Sequence, residues 1–505
     1  MPVSFSHVPA NWRMPLYWVE LDPSKAGLPT FQGRSLLVGI MNTTGATAVV
    51  NVPVPVASQA QADALFGQGS MLAMMFRTFY ANNFANEVWG LPVAEPAGAA
   101  ATGTIVVASP ATGSGTIALY IAGMLVPVPV SAGDAVGVIA TSIVTAITNN
   151  KDLPVTATAT TGTVTLTSKW KGTLGNEISL MHSYYGTVGG EQLPPGVALT
   201  FTQPINGTGD PIFTTAISNL GETEVDYVCM PFVDSTSMLA WETEFGFSDT
   251  GRWGFIRQHY GQIFNAKSDT HANLLTFAAT RNSAQMSVMA VEAASPTPSY
   301  QWAAAYCAKA ARALLNDPAR PLQTLSLDGC LPAQGQNRFL LSELNAQAYG
   351  GLATQRTMTT VPVIMRESTT YTKNLYGNSD DAYELCTTLA TLTKLLRNQR
   401  QAITSKFPRH KLADDGTRFG AGQAIVTPNI IKAELVAQYR IDEFNGLVEN
   451  GKAFKANLIV ERDPNDPNRI NCLYPPDLLN QLRIFAVLAQ FRLQFDRGVD
   501  SVIAA

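Results

Sequence analysis

The chain has 505 residues, enough for about three or four domains rather than a single core. Only 14% of the residues are charged while 46% are hydrophobic, so much of the surface is read as facing other protein, the alternative being a solvated surface rich in Thr, Ser, Asn and Gln. A net charge of −4 speaks against a general nucleic-acid binder, and the absence of a long uncharged apolar window or a leader-like N-terminus leads to the expectation of a soluble chain with no membrane insertion.

Residues 1–27 read as an extended arm. Pro2, Pro9, Pro15 and Pro23 suppress helix, while Trp12, Leu16, Tyr17, Trp18 and Val19 are large apolar groups on a segment too short to bury them. Such an arm docks on its own chain or on another copy, and the residues do not separate the two. Arg34–Ile40 is a buried-type strand, Val49–Val56 an edge strand marked by Pro53 and Pro55, and Glu87–Val93 a further strand. Between them lie helices at Ala60–Phe66 and Ser70–Ala81, the second with Ser70 as its N-cap.

Composition changes at Pro96. From Ala97 to Tyr185 the chain is Thr, Ala, Val and Gly, charged only at Asp134, Lys151, Asp152, Lys169, Lys171 and Glu177. Strands are expected at Thr104–Ala108, Gly115–Ile121, Met124–Pro129, Val155–Thr160 and Thr163–Ser168, with one helix over Ala135–Asn149. Residues 97–185 are therefore read as a β-rich domain inserted into a loop of a discontinuous α/β domain, 28–96 and 186–356. After Pro194-Pro195 the α/β pattern resumes. Helices are expected at Phe213–Leu220, Met238–Phe247 and Tyr300–Leu315, and strands at Tyr227–Pro231, Gly254–Arg257, Leu274–Phe277 and Gln285–Val291, with Asn337–Leu341 and Leu352–Arg356 closing the layer.

Residues 357–505 form an α+β C-terminal domain in this reading. Its helices are Asp380–Gln401 and Thr427–Glu449. Around them is a basic stretch, Lys394, Arg397, Arg400, Lys406, Arg409, His410, Lys411 and Arg418, opposed only by Asp414 and Asp415; it is either a solvated face or a contact for an acidic partner. Lys455–Glu461 and Ile470–Tyr474 read as strands around the Asp463–Asn468 turn, Asp477–Gln481 as a short turn of helix, and Leu482–Phe495 as a third strand. A small sheet of this kind has an edge that wants a partner, with Leu458, Val460, Ile470, Leu473, Phe485, Val487 and Phe491 on its donor or recipient strands.

No catalytic, cofactor or metal residue is assigned, and an enzyme is not expected. The five cysteines are odd in number and far apart, without ligand or disulfide spacing, so reduced thiols are the default. His7, His182, His259, His271 and His410 have no companions at ligand spacing, and Gly67-Gln68-Gly69 and Gly113-Ser114-Gly115 lack the lysine of a phosphate loop and read as turns. Glu461, Asp463 and Asp466 crowd one turn, but their spacing does not match a twelve-residue calcium loop.

Four pieces in order carry a resemblance: Pro15–Gly27 with Arg34–Gly39; Ser70–Leu72 through Trp89–Pro92; Tyr227–Phe232 leading to Gly251–Gly261; and Val460–Asp463 through Asn471, followed by Leu482–Phe495. In these the chain resembles the sheath proteins of contractile bacteriophage tails, of the Mu-like type. The resemblance implies homo-hexameric rings around a tail tube, stacked helically, with terminal arms completing the small sheets of neighbouring protomers. It further implies a C-terminal domain beside the tube, an outward inserted domain, and contraction that drives the tube through the host envelope without cofactor or nucleotide. Baseplate and tail terminator proteins would be further partners, in a virion tail assembled in the host cytoplasm. Another virion structural protein (tail tube or capsid-like), or a surface adhesin with a glycan-binding inserted domain, are the alternatives.

Overall fold

Leu36, Leu37 and Val38 follow one another with no polar interruption, which suits a strand covered on both faces. In the computed structural model, which describes residues 33–493, Ser35–Ile40 lies buried within a six-stranded sheet. Across that sheet the order is Met286–Glu292, Gln262–Asp269, Tyr227–Cys229, Ser35–Ile40, Val88–Val93 and Val54–Val56. All neighbours run parallel except the last pair, where the proline-marked strand closes the edge antiparallel. The edge strand is only Val54–Val56, shorter than the Val49–Val56 expected.

Two helices cover one face of this sheet. Met71–Asn82 starts as expected at Ser70, whose hydroxyl accepts from the Ala73 N–H at 3.1 Å. Ser299–Asn316 packs beside it, and it is buried almost all round rather than along the single apolar side the sequence displays. Its polar tips find partners inside: Trp302 Nε1 donates to Ser295 Oγ at 3.0 Å, and Tyr306 shares a 2.7 Å hydrogen bond with Ser287. The ring of Trp170, from the inserted unit, meets Tyr300 edge-on at 6.0 Å. The insertion thus supplies part of the cover that buries this helix.

The inserted unit consists of a four-stranded antiparallel sheet, ordered Ala198–Ile205, Ala100–Ser109, Thr163–Lys171, Val155–Thr160, and a three-stranded one, Met124–Val130, Gly115–Ile121, Leu180–His182. The Val136–Asn149 helix packs its Ile139, Ile143 and Ile147 inward. Composition alone ended this unit at residue 185, whereas Ala198–Ile205 is one of its strands and pairs with Ala100–Ser109. The Gly- and Pro-rich stretch over 186–196 reads as a border, but the chain returns past it to add this one further strand, which carries no charge.

Several expected elements differ. Gly254–Arg257 is a run of turns, not a strand, and Leu274–Phe277 lies in the His271–Ala278 helix, capped by Thr270. The strand actually present, Gln262–Asp269, was hidden by Gln262, Asn265 and Lys267, polar residues that the fold satisfies; Gln262 Nε2, for example, donates to the Cys386 carbonyl at 2.6 Å. Leu341 opens a helix, Leu341–Tyr349, and Thr354–Met358 pairs with Val361–Arg366 in a separate two-stranded sheet.

One continuous apolar cluster runs through the central sheet and the inserted unit, and a second, separate cluster belongs to the C-terminal unit. In the second, Cys386–Lys406 and Pro428–Phe444 contribute Leu395, Ile431, Leu435 and Tyr439 around Phe454. Tyr439 and Phe454 stack with centroids 3.7 Å apart, and Tyr474 meets Phe454 edge-on at 5.2 Å. Cys229, Cys307, Cys330 and Cys386 are buried free thiols, each pushed up by desolvation, and Cys472 is exposed. Among the described residues no helix is long and apolar enough to cross a membrane.

Candidate assembly interface

The hairpin near the C-terminus is built by its turn. Asp463 Oδ1 accepts the N–H groups of Asn465 at 2.8 Å and Asp466 at 3.1 Å, Oδ2 accepts from Asn471 Nδ2 at 2.8 Å, and these bonds hold its carboxyl below the usual range. Two short antiparallel strands follow, with Val460 opposite Cys472 and Ile459 opposite Leu473. Val460 and Ile470 pack against the C-terminal core, while Ile459 and Leu473 on the other face are 50% and 59% exposed. Among the described residues the hairpin pairs with no further strand, so both of its outer edges present open N–H and C=O groups.

Leu458 does not belong to this sheet. The expected strand from Lys455 starts only at Ile459, because residues 451–457 form a helix whose Phe454 fills the core; Leu458 closes that helix and is buried. Asp477–Gln481 is likewise not helical: Leu478 makes a single bridge to Val448. The prolines Pro475-Pro476 leave the backbone extended there.

Beyond Arg483 the chain carries its apolar side chains into solvent. Phe485, Val487, Phe491 and Leu493 are 83%, 69%, 84% and 97% exposed, and no strand forms over 482–493. Phe485, Val487, Ala489, Phe491 and Leu493 repeat at a spacing of two, which aligns them on one face of an extended segment. A row of large apolar groups left in water is a surface awaiting cover. The expected arm residues Trp12, Leu16, Tyr17, Trp18 and Val19 lie outside the described residues.

The basic stretch divides in two. Arg397 is turned inward, its Nη2 2.7 Å from Asp226 Oδ1, and Lys406 pairs with Glu434 at 2.5 Å. Asp226 is 6% exposed and also accepts the Arg34 N–H at 3.0 Å; burial pushes its carboxyl up and the Arg397 charge opposes that shift. These groups sit at the joint of the central sheet and the long helix, beside a hollow of about 260 Å³ that Tyr227, Tyr260, Leu314 and Ala390 help to line. Lys394, Arg400, Arg409 and Lys411 are exposed. Sequence reasoning missed the partner Asp226, which lies 171 residues from Arg397 and has no local signal. It also missed Leu375 and Tyr376, 102% and 89% exposed at a loop tip.

Comparison with known proteins places these features. Residues 206–370 match the phage tail sheath protein central domain, and residues 378–492 match the phage tail sheath C-terminal domain, which contains both the hairpin and the exposed run. A relative from Haemophilus influenzae, the Mu-like prophage FluMu tail sheath protein, is 42% identical over 497 residues, covering 98% of this chain and 100% of that protein. Among solved structures, a sheath tail protein from Desulfitobacterium hafniense aligns with a TM-score of 0.46 at 11% identity, over 92% of this chain and 100% of its own. One from Listeria innocua aligns with a TM-score of 0.47 at 11% identity, over 89% and 92%. On the sequence matches, the chain belongs to the phage tail sheath protein family.

Proposed function

We propose that the chain is the subunit of a Mu-like contractile tail sheath. Six copies form a ring around the tail tube, rings stack helically, and contraction drives the tube through the host envelope. Adjacent copies are linked by β-augmentation: an arm of one protomer adds a strand to the hairpin of the next, backbone bonds giving affinity and the apolar face setting register. The observation that supports this most is the run of exposed apolar residues over 482–493, which among the described residues has no strand partner, beside a hairpin that among the same residues pairs with no further strand. The energy released on contraction is stored in packing during assembly, so no nucleotide or cofactor is consumed.

Lys394, Arg400, Arg409 and Lys411 are the candidates for an electrostatic contact with an acidic face of the tube protein, whereas Arg397 and Lys406 are engaged within the chain. Baseplate and terminator proteins would meet the two ends of the polymer in a virion tail. The test is assembly of chains lacking residues 1–25 or the residues after Arg483. Each should remain folded and sediment as small species; long tubes from either truncated chain would refute the arm exchange proposed for that end.

A further inference from the structure

Between the hairpin and the exposed run the chain is pinned to the central unit. Gln481 donates its side-chain amide to the Ala319 carbonyl, and the Arg483 guanidinium forms a two-pronged pair with Glu367. One prong, Nη1 to Oε2, is 3.0 Å long; the other, Nη2 to Oε1, is shared with Gln481 Oε1. The Glu367 side chain is fully buried and that of Arg483 is 12% exposed. The other bonds of Glu367 run inward: Oε1 accepts the Leu322 N–H at 3.3 Å, and its carbonyl accepts the N–H of Cys386, first residue of the long helix, at 3.2 Å. Leu482, between the two anchored residues, already faces solvent at 75%, and after Arg483 no further anchor among the described residues interrupts the exposure, 80% at Ile484 and 83% at Phe485.

We propose that Arg483 is the positioning residue of the C-terminal arm, and that its pair with Glu367 sets the point and direction from which the arm leaves the protomer. The inference rests on the arm reading given above. A fork-to-fork guanidinium–carboxylate pair fixes orientation as well as distance, which a lysine at the same place would not. Because Glu367 is out of water, opening the pair strands a buried charge, so the pin holds far better than an ion pair on the surface. Chain release then starts at Ile484 rather than just after Leu479, whose N–H is, among the described residues, the last backbone group bonded to the C-terminal unit. A shorter free tether raises the effective concentration of the arm at a neighbour's sheet edge.

Trypsin reads the pin directly in the full-length, unassembled chain, because Arg483 is itself a cleavage site and exposed Arg492 is an internal control. The wild type is cut at Arg492 and protected at Arg483. In Glu367→Gln, which keeps the shape and one acceptor, cleavage at Arg483 relative to Arg492 rises on the order of tenfold or more, with an unchanged circular dichroism spectrum. Arg483→Lys, which keeps the charge and the cleavage site, behaves the same way and serves if Glu367→Gln does not fold. Tube growth by either variant is slower than wild type at equal concentration. An unchanged cleavage ratio overturns the pin, and wild-type tube growth despite faster cleavage overturns its positioning role. Normal tubes from a chain ending at Arg483 would instead overturn the arm reading.

Discussion

Phe485→Ala separates assembly from folding. In the unassembled chain this ring is 83% exposed, so its removal takes away almost nothing that holds the fold. Solvent-facing substitutions of this kind change stability by about 0.5 kcal/mol or less. If the run over 482–493 adds to a neighbour's sheet, however, the ring passes from water into an apolar contact. Full burial of a phenylalanine is worth roughly 1.5–3 kcal/mol, and with most of the ring still to be buried about 2 kcal/mol is at stake for each arm. At 1.4 kcal/mol per decade that is roughly a thirtyfold rise in the concentration needed for polymerisation. Sedimentation across a concentration series gives that threshold, and thermal melting of the dilute chain gives the fold. An unchanged threshold, or a large fall in melting temperature, would refute the reasoning, the second by showing that Phe485 is buried within its own chain.

Other consequences can be checked separately. Arg400→Glu with Arg409→Glu and Lys411→Glu should leave self-assembly intact while reducing co-sedimentation with tail tube, more so at low salt; unchanged tube binding would remove these residues from that contact. Phe454→Ala should cost about 3–5 kcal/mol in the C-terminal unit, since it empties the stack against Tyr439. As that unit has its own core, calorimetry should split into an early transition and an unaltered later one. Asp152, on the inserted unit, is held below its ordinary value of 3.8 chiefly by its hydrogen bond to Arg77 of the central unit, 2.7 Å away. A lowered carboxylate adds stability above its unfolded value and loses it as pH falls through and below it. The wild type should therefore shed up to about 1 kcal/mol from near pH 4 downward, and Asp152→Asn should lack that component in a denaturant series.

The legible parts of this chain were those whose local pattern and tertiary fate agree. Ser35–Ile40 and Gly115–Ile121 show as short apolar runs and Met71–Asn82 by its apolar spacing behind the Ser70 cap, and all three form nearly where expected. The Asp463–Asn468 turn was readable because Asx side chains and prolines act on their immediate neighbours. Gln262–Asp269 was not, because a central strand containing Gln, Asn and Lys is stable only through partners distant in the chain. The same holds at the interface. The apolar spacing of Phe485, Val487 and Phe491 was visible, but the inward turn of Arg397 toward Asp226 and the pinning of Arg483 to Glu367, 116 residues away, have no local trace. Leu458 was misplaced because alternation over so short a stretch fits a helix end as well as a strand, and Phe454 decided for the helix by filling the core.

A density map of the assembled polymer, traced continuously through residues 474–493, tests the account most directly. It should show the segment leaving its own protomer after Arg483 and pairing along the hairpin edge of a different copy, with Phe485, Val487 and Phe491 covered. A trace in which that segment folds back along the hairpin of its own chain, leaving no strand shared between copies, would contradict it.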